Sequence, residues 1–205
     1  MKTFTSDEVV KILNETEFNL TQLCHLKREQ FKRLNDVGYL FSPASKSHHL
    51  NCEFGLAKHS LNVTEILVEL SASLQINWPR PESPFLVGML HDLVKCKCYA
   101  KCSSEDKVEF TYVQPEYPGH GIASVMIAAE LGIELKPSEI AAITYHMGMF
   151  GVGREYTDKE FNAALAKYPQ QIIATHCADW WAARVTEEGV FAVAGEEQGG
   201  KGDAR

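Results

Sequence analysis

No stretch of this 205-residue chain approaches the roughly 20 consecutive apolar residues that a membrane-spanning helix needs. Positive charge is scarce as well. Twenty Lys and Arg stand against 27 Asp and Glu, a net charge of −7 at pH 7, which argues against an extended nucleic-acid or membrane surface. A small anionic substrate stays open, because bound cations and a few lysines can reverse the field locally. The opening residues, MKTFTSDEVVKIL, are acidic and periodic and lack the apolar core of a signal peptide, so a cytoplasmic location is expected. There are only six cysteines, which in that compartment are expected to be reduced thiols and not a disulfide framework. Cys96, Cys98 and Cys102 lie close together, but C-x-C-x3-C lacks the usual C-x2-C pair and has no fourth ligand nearby, which argues against zinc.

What is present reads as helix. With 45% hydrophobic and 23% charged residues, the chain has the profile and length of one globular domain with a full core. Thr5, Ser6 and Asp7 can cap a first helix carrying Val9, Ile12 and Leu13, and a second, polar helix is predicted over 20–35, ended by Gly38. Residues 39–52 have no sustained periodicity and read as an ordered loop. Leu56, His59, Val63, Ile66 and Leu70 form one helical stripe, and FLVGMLHDLVK predicts a helix apolar all round, hence central. Residues 97–118 contain the β-prone VEFTYV and predict a loop or short hairpin over one end of the core. Three further helices follow in GHGIASVMIAAELGIE, SEIAAITYHMG and QQIIATHCADWWAARV. The expectation is an all-α bundle, with helices of 1–38 packed on a main domain over 39–192 and a Gly-rich, charged, disordered tail over 193–205.

Six residues interrupt these apolar patterns: His59, the adjacent His91 and Asp92, His120, His146 and Asp179. An unpaired imidazole or carboxylate is costly to bury, and a divalent cation removes that cost because both are its usual ligands. Four histidines and two aspartates suffice for two metals sharing a carboxylate. For a lone residue a plainer reading stands beside this one. His59 can be a hydrogen-bonded core histidine, and Asp179, on a face with Ile172, Thr175 and Ala183, can be satisfied by protein donors. Lys95, four residues after His91 and three after Asp92, either pairs with the aspartate, meets an anionic ligand or snorkels to the surface. Arg154 follows a Gly-rich turn and can reach an anion or stay on the surface. Trp180 and Trp181 can stack a base or pack a core helix.

The order His, His-Asp, His, His, Asp resembles the HD-domain metal-dependent phosphohydrolase superfamily. The flanks extend the resemblance. FSPASKSHHLNCEFGLAKHSLNV is similar to the PAS-x-x-HH…GL-x-x-HSLNV region in the HD domain of a bacterial 3′-to-5′ exoribonuclease family, and in small stand-alone HD proteins of bacteria and phages. MLHDLVK resembles LLHD-x-x-K, and Gly119-His120-Gly121 matches a GHG segment. Tyr145-His146-Met147-Gly148 resembles WHMG, and Tyr168-Pro169 followed by residues 176–182 resembles YP…HxADxxA. The resemblance spans about 41–187. One departure is Phe54-Gly55-Leu56 where relatives carry Gly-Gly-Leu, expected to reshape the loop beside His59. The nucleic-acid-binding β-barrel of the exoribonuclease has no counterpart here, so RNA degradation is not implied.

The resemblance implies that His59, His91, Asp92 and Asp179 hold one divalent metal, and that Asp92 bridges to a second completed by His120 and His146. The donors are all nitrogen or oxygen, compatible with Fe, Mn, Co, Ni or Zn and less natural for magnesium. It also implies hydrolysis of a small phosphorylated substrate such as a nucleotide, with Lys95 on a phosphate. His49 is then a substrate contact or proton donor, or else a loop-structuring residue. A mixed-valence di-iron oxygenase of the same superfamily shares these ligands, and a non-catalytic nucleotide-binding module is the third reading.

Overall fold

The computed structural model describes residues 3–46, 50–104 and 107–187, among which eight α-helices and one two-stranded hairpin form the expected all-α architecture. His49 and the expected tail at 193–205 lie outside the described residues. No helix among the described residues is long and apolar enough to cross a membrane.

Helix α1 (Ser6–Phe18) starts at a capping box: the Glu8 amide donates to Thr5 Oγ1, and the Thr5 amide donates to Glu8 Oε2 at 2.8 Å. The helix expected over 20–35 is in fact two pieces. The first helix runs on through a π turn, Asn19–Leu23, His25 takes a positive φ of 57°, and α2 (Arg28–Asp36) begins afresh. Cys24 and Leu26 explain the break, because both are buried and a continuous helix cannot bury residues two apart on one face.

The centre of the fold is α3 (Gly55–Ser73) packed on α4 (Ser83–Leu90). Gly88 sets their spacing: a Cβ there would lie 2.5 Å from Thr64 Oγ1 and 2.7 Å from Thr64 Cα. Only a glycine allows the two backbones so close. Phe54, in the Phe54-Gly55-Leu56 segment, holds φ 64° at the entry to α3, a conformation that glycine reaches without strain. Its ring lies 5.5 Å from that of Phe41.

Helix α4 is buried almost all round, as its composition predicts, but it is shorter than FLVGMLHDLVK implied. It stops at Leu90, His91 caps it, Asp92 leaves helical geometry at φ −108° and ψ 21°, and a 3-10 turn occupies Leu93–Lys97. Strands β1 (Tyr99–Ser104) and β2 (Lys107–Tyr112) then form an antiparallel hairpin with Tyr99 opposite Tyr112, at the place expected for it.

Helices α5 (Gly121–Glu130), α6 (Pro137–Thr144) and α8 (Pro169–Trp181) match the three remaining expected helices. Between α6 and α8 lies α7 (Asp158–Lys167), which periodicity missed because Phe161 is its one buried residue. Its start was legible as a second capping box, Thr157 with Glu160. A π turn, Ala182–Glu187, prolongs α8 back toward α3.

Candidate metal centre

His59 sits one turn into α3, fully buried. Its Nδ1 lies 3.0 and 3.2 Å from the two Glu187 oxygens, so Nδ1–H donates to that carboxylate and Nε2 faces inward. Asn62 Nδ2 donates to the same carboxylate at 2.9 Å. Glu187 was missed from sequence because it stands in a charged run past the last periodic residue, with no pattern to aim it at the core.

His91 and His146 share one positioning device. Each follows the end of a helix, and each donates Nδ1–H to the carbonyl three residues earlier: His91 to Gly88 at 2.9 Å, His146 to Ile143 at 2.7 Å. The helix ends leave those carbonyls without an intrahelical partner, so the rings satisfy them and turn Nε2 inward. His120 caps α5, and its own amide and that of Gly121 donate to Glu155 Oε2 at 2.9 and 3.3 Å. Asp179 reaches in from α8 and remains about one-fifth exposed.

These side chains converge on Asp92. Its Oδ2 lies 3.5 Å from His59 Nε2 and 3.4 Å from His91 Nε2, while its Oδ1 lies 2.5 Å from His120 Nε2 and 3.5 Å from His146 Nε2. Asp179 Oδ1 completes the first group, 3.1 Å from His59 Nε2 and 3.7 Å from His91 Nε2. Had the helix continued through this pair, adjacent side chains would diverge by about 100°. The break instead lets Asp92 face both groups, and the following 3-10 turn eclipses residues three apart, so Lys95 Nζ meets Asp92 Oδ2.

The electrostatics show strongly coupled charges. Burial alone would lower the His59 and His91 pKa values, but the facing carboxylates outweigh it. Glu187, Asp179 and Asp92 hold His59 well above its ordinary range, and Asp92 and Asp179 lift His91 to about 9. Burial would raise Asp92, yet Lys95, His91 and His120 hold it well below the usual carboxylate range. His59 and His91 do the same for Asp179. Lys95 loses by burial and gains more from Asp92 and Asp179, so it stays charged. Without a cation these rings keep protons that a metal must displace.

One atom tests whether a metal fits. His146 Nε2 is buried and has no hydrogen-bond partner, although its ring is fixed by the Ile143 carbonyl. It faces an Asp92 oxygen 3.5 Å away without a hydrogen bond to it, and a cation between the two would satisfy both atoms. The donors form two compact groups, His59, His91, Asp92 and Asp179 in one and Asp92, His120 and His146 in the other, each with its ligand atoms within 4.8 Å of one another. This set of nitrogen and oxygen donors fits two divalent cations sharing one carboxylate. The six cysteines are free thiols outside both groups.

A cleft of about 610 Å³ opens over the shared carboxylate. Asp92, Lys95, His120 and Asp179 line it, together with Met147, Phe150, Arg154, His176, Trp180 and Arg184. His176 had no role assigned from sequence. It donates Nδ1–H to the His146 carbonyl at 2.7 Å and so braces a donor of the second group. Trp180 and Trp181 are both more than half exposed, which rules out core packing, and of the two only Trp180 lines this cleft.

Removing the carboxylate that orients His59 should separate the two groups experimentally. In Glu187→Ala, titration of the metal-free protein is expected to show one class of site weakened roughly 10- to 100-fold and the other little changed. Equal weakening of both classes would mean that Glu187 supports the fold in general and not one ring.

Comparison with curated proteins and with solved structures finds no match. The family model for the HD domain matches residues 56–189, more than half of the chain, and that span contains all six converging side chains. The chain therefore belongs to the HD-domain family of metal-dependent hydrolases.

Proposed function

We propose that the protein is a metal-dependent phosphohydrolase acting on a nucleotide or related small phosphate ester. The observation that carries this reading is the placement of Asp92, whose two oxygens face two separate donor groups at the base of an open cleft beside Lys95. His59, His91, Asp92 and Asp179 would hold one cation, and Asp92, His120 and His146 the other. Divalent cations there supply Lewis acidity, acidifying a water and neutralising charge that grows on phosphoryl oxygens.

The rest falls to the chain. Asp92 keeps the two groups adjacent, Glu187 and the Gly88 and Ile143 carbonyls hold the imidazole rings in register, and Lys95 offers a fixed positive charge to a substrate phosphate. His49 enters the proposal as a substrate contact or proton donor.

Lys95→Ala is expected to lower kcat/KM for a phosphate ester roughly 100-fold, while metal content measured by elemental analysis stays near that of the parent protein. Metal loss with little change in turnover per bound metal would instead make Lys95 a structural partner of Asp92.

Elemental analysis of the purified protein, paired with a metal-supplemented screen of nucleotides and phosphodiesters for phosphate release, tests the reading as a whole. Turnover supported by Mn, Co, Ni, Zn or Fe is the expected result. Iron-dependent oxygen consumption without phosphate release would assign the centre to the di-iron oxygenases of the superfamily. No turnover with any metal would leave a nucleotide-binding module.

A further inference from the structure

Asp179 and Trp180 are neighbours on α8 with opposite surroundings. Asp179 turns into the first donor group, whereas Trp180, about 100° further round the helix, lines the cleft with 57% of its surface exposed. Phe150, in the 3-10 turn Gly148–Gly151, lines the same cleft and is 62% exposed. Two large aromatic side chains are thus left largely in water at one opening, where burial would be favourable. Arg154 lines the same opening, and its guanidinium has no partner among the described residues. The base of the cleft is a different medium, where the buried shared carboxylate pairs with Lys95.

The cleft is therefore polar and ionic at its base and aromatic at its mouth, with a volume of about 610 Å³ that lies in the range of small-ligand pockets. We propose that Trp180, with Phe150 at the same opening, is a base-stacking subsite, so that the substrates are nucleotides as a class and not phosphate esters in general. This rests on the phosphohydrolase reading, in which the phosphate lies at the base. Stacking uses the π face that every base carries, so the subsite selects for a base while discriminating little among the four.

The test compares adenosine monophosphate with ribose 5-phosphate, which keeps the phosphate and sugar and lacks the base. On manganese-loaded protein, adenosine monophosphate should bind saturably with quenching of tryptophan fluorescence, roughly 10- to 100-fold more tightly than ribose 5-phosphate measured by competition. Trp180→Ala should collapse that preference toward one, and Trp180→Phe should keep most of it. Trp181→Ala, on the neighbouring face outside the cleft, should retain the preference in full. Equal affinity for the two ligands, or a preference that survives Trp180→Ala, would overturn the subsite even if both esters are hydrolysed. Trp180-dependent binding without phosphate release would uphold the subsite and overturn the hydrolase reading.

Discussion

Asp92→Asn is expected to lower metal-dependent turnover by about 10³-fold or more, with far-ultraviolet circular dichroism close to that of the parent protein. The size follows from what the carboxylate does. A Lewis-acid centre contributes several kcal/mol to the barrier, and each 1.4 kcal/mol is a factor of about ten. Asp92 serves both donor groups, facing His59 and His91 with one oxygen and His120 and His146 with the other. Asparagine keeps the shape but is neutral and turns an N–H2 toward one group, so neither would hold a cation as before. Elemental analysis should show both sites depleted together, unlike the one-sided loss expected of Glu187→Ala. The fold should tolerate the change because Lys95, the buried cation that loses its partner, already reaches the cleft with 13% of its side chain exposed. Parent-like turnover in Asp92→Asn would remove the two-group site from consideration.

The largest effect on stability is expected far from that site, at Glu139. Its side chain is fully buried in the first turn of α6. Oε1 accepts from Arg80 Nε at 2.8 Å and Ser83 Oγ at 2.6 Å, and Oε2 accepts from Arg80 Nη2 at 2.8 Å and the Lys136 amide at 2.7 Å. This one carboxylate therefore ties the start of α4, the start of α6 and the segment before α4. Glu139→Ala leaves the Arg80 guanidinium without its main counter-charge and two further donors without an acceptor. Breaking a buried pair in this way costs about 3–5 kcal/mol, and because Arg80 is 23% exposed, water recovers part of it, leaving about 3 kcal/mol. For a chain of this length that lowers Tm by roughly 6–12 °C, readable by calorimetry on the metal-free protein. Replacing both partners, as Arg80→Met with Glu139→Leu, should recover much of the loss because no unpaired charge remains. A single variant melting within a degree of the parent would show that the pair is solvated and contributes little.

Much of this architecture was legible locally. The all-α class, the central helix and the hairpin follow from apolar spacing, β-prone residues and turn signals within a few residues of each element. Capping boxes mark the starts of α1 and α7, the second overlooked only because α7 buries a single residue. The inward direction of His59 and Asp179 follows from the apolar stripes they share. Less legible was the course of the chain at 20–28 and at 91–97. At the first the tertiary need to bury Cys24 with Leu26 overrode a pattern that read as continuous helix, and at the second the helix gave way at Asp92 to a 3-10 turn.

The sequence by itself determined the helical class, the order of the candidate ligands and their inward faces, because periodicity and residue chemistry are properties of neighbours along the chain. Tertiary structure decided which oxygen of Asp92 faces which group, since that depends on α4 ending at Leu90 and on α3, α5, α6 and α8 arriving at one point. It also brought Glu187 back 128 residues to hold the His59 ring, and left Trp180 in water while Asp179 beside it turned inward. Such facts arise from packing between distant segments, and no local pattern encodes them.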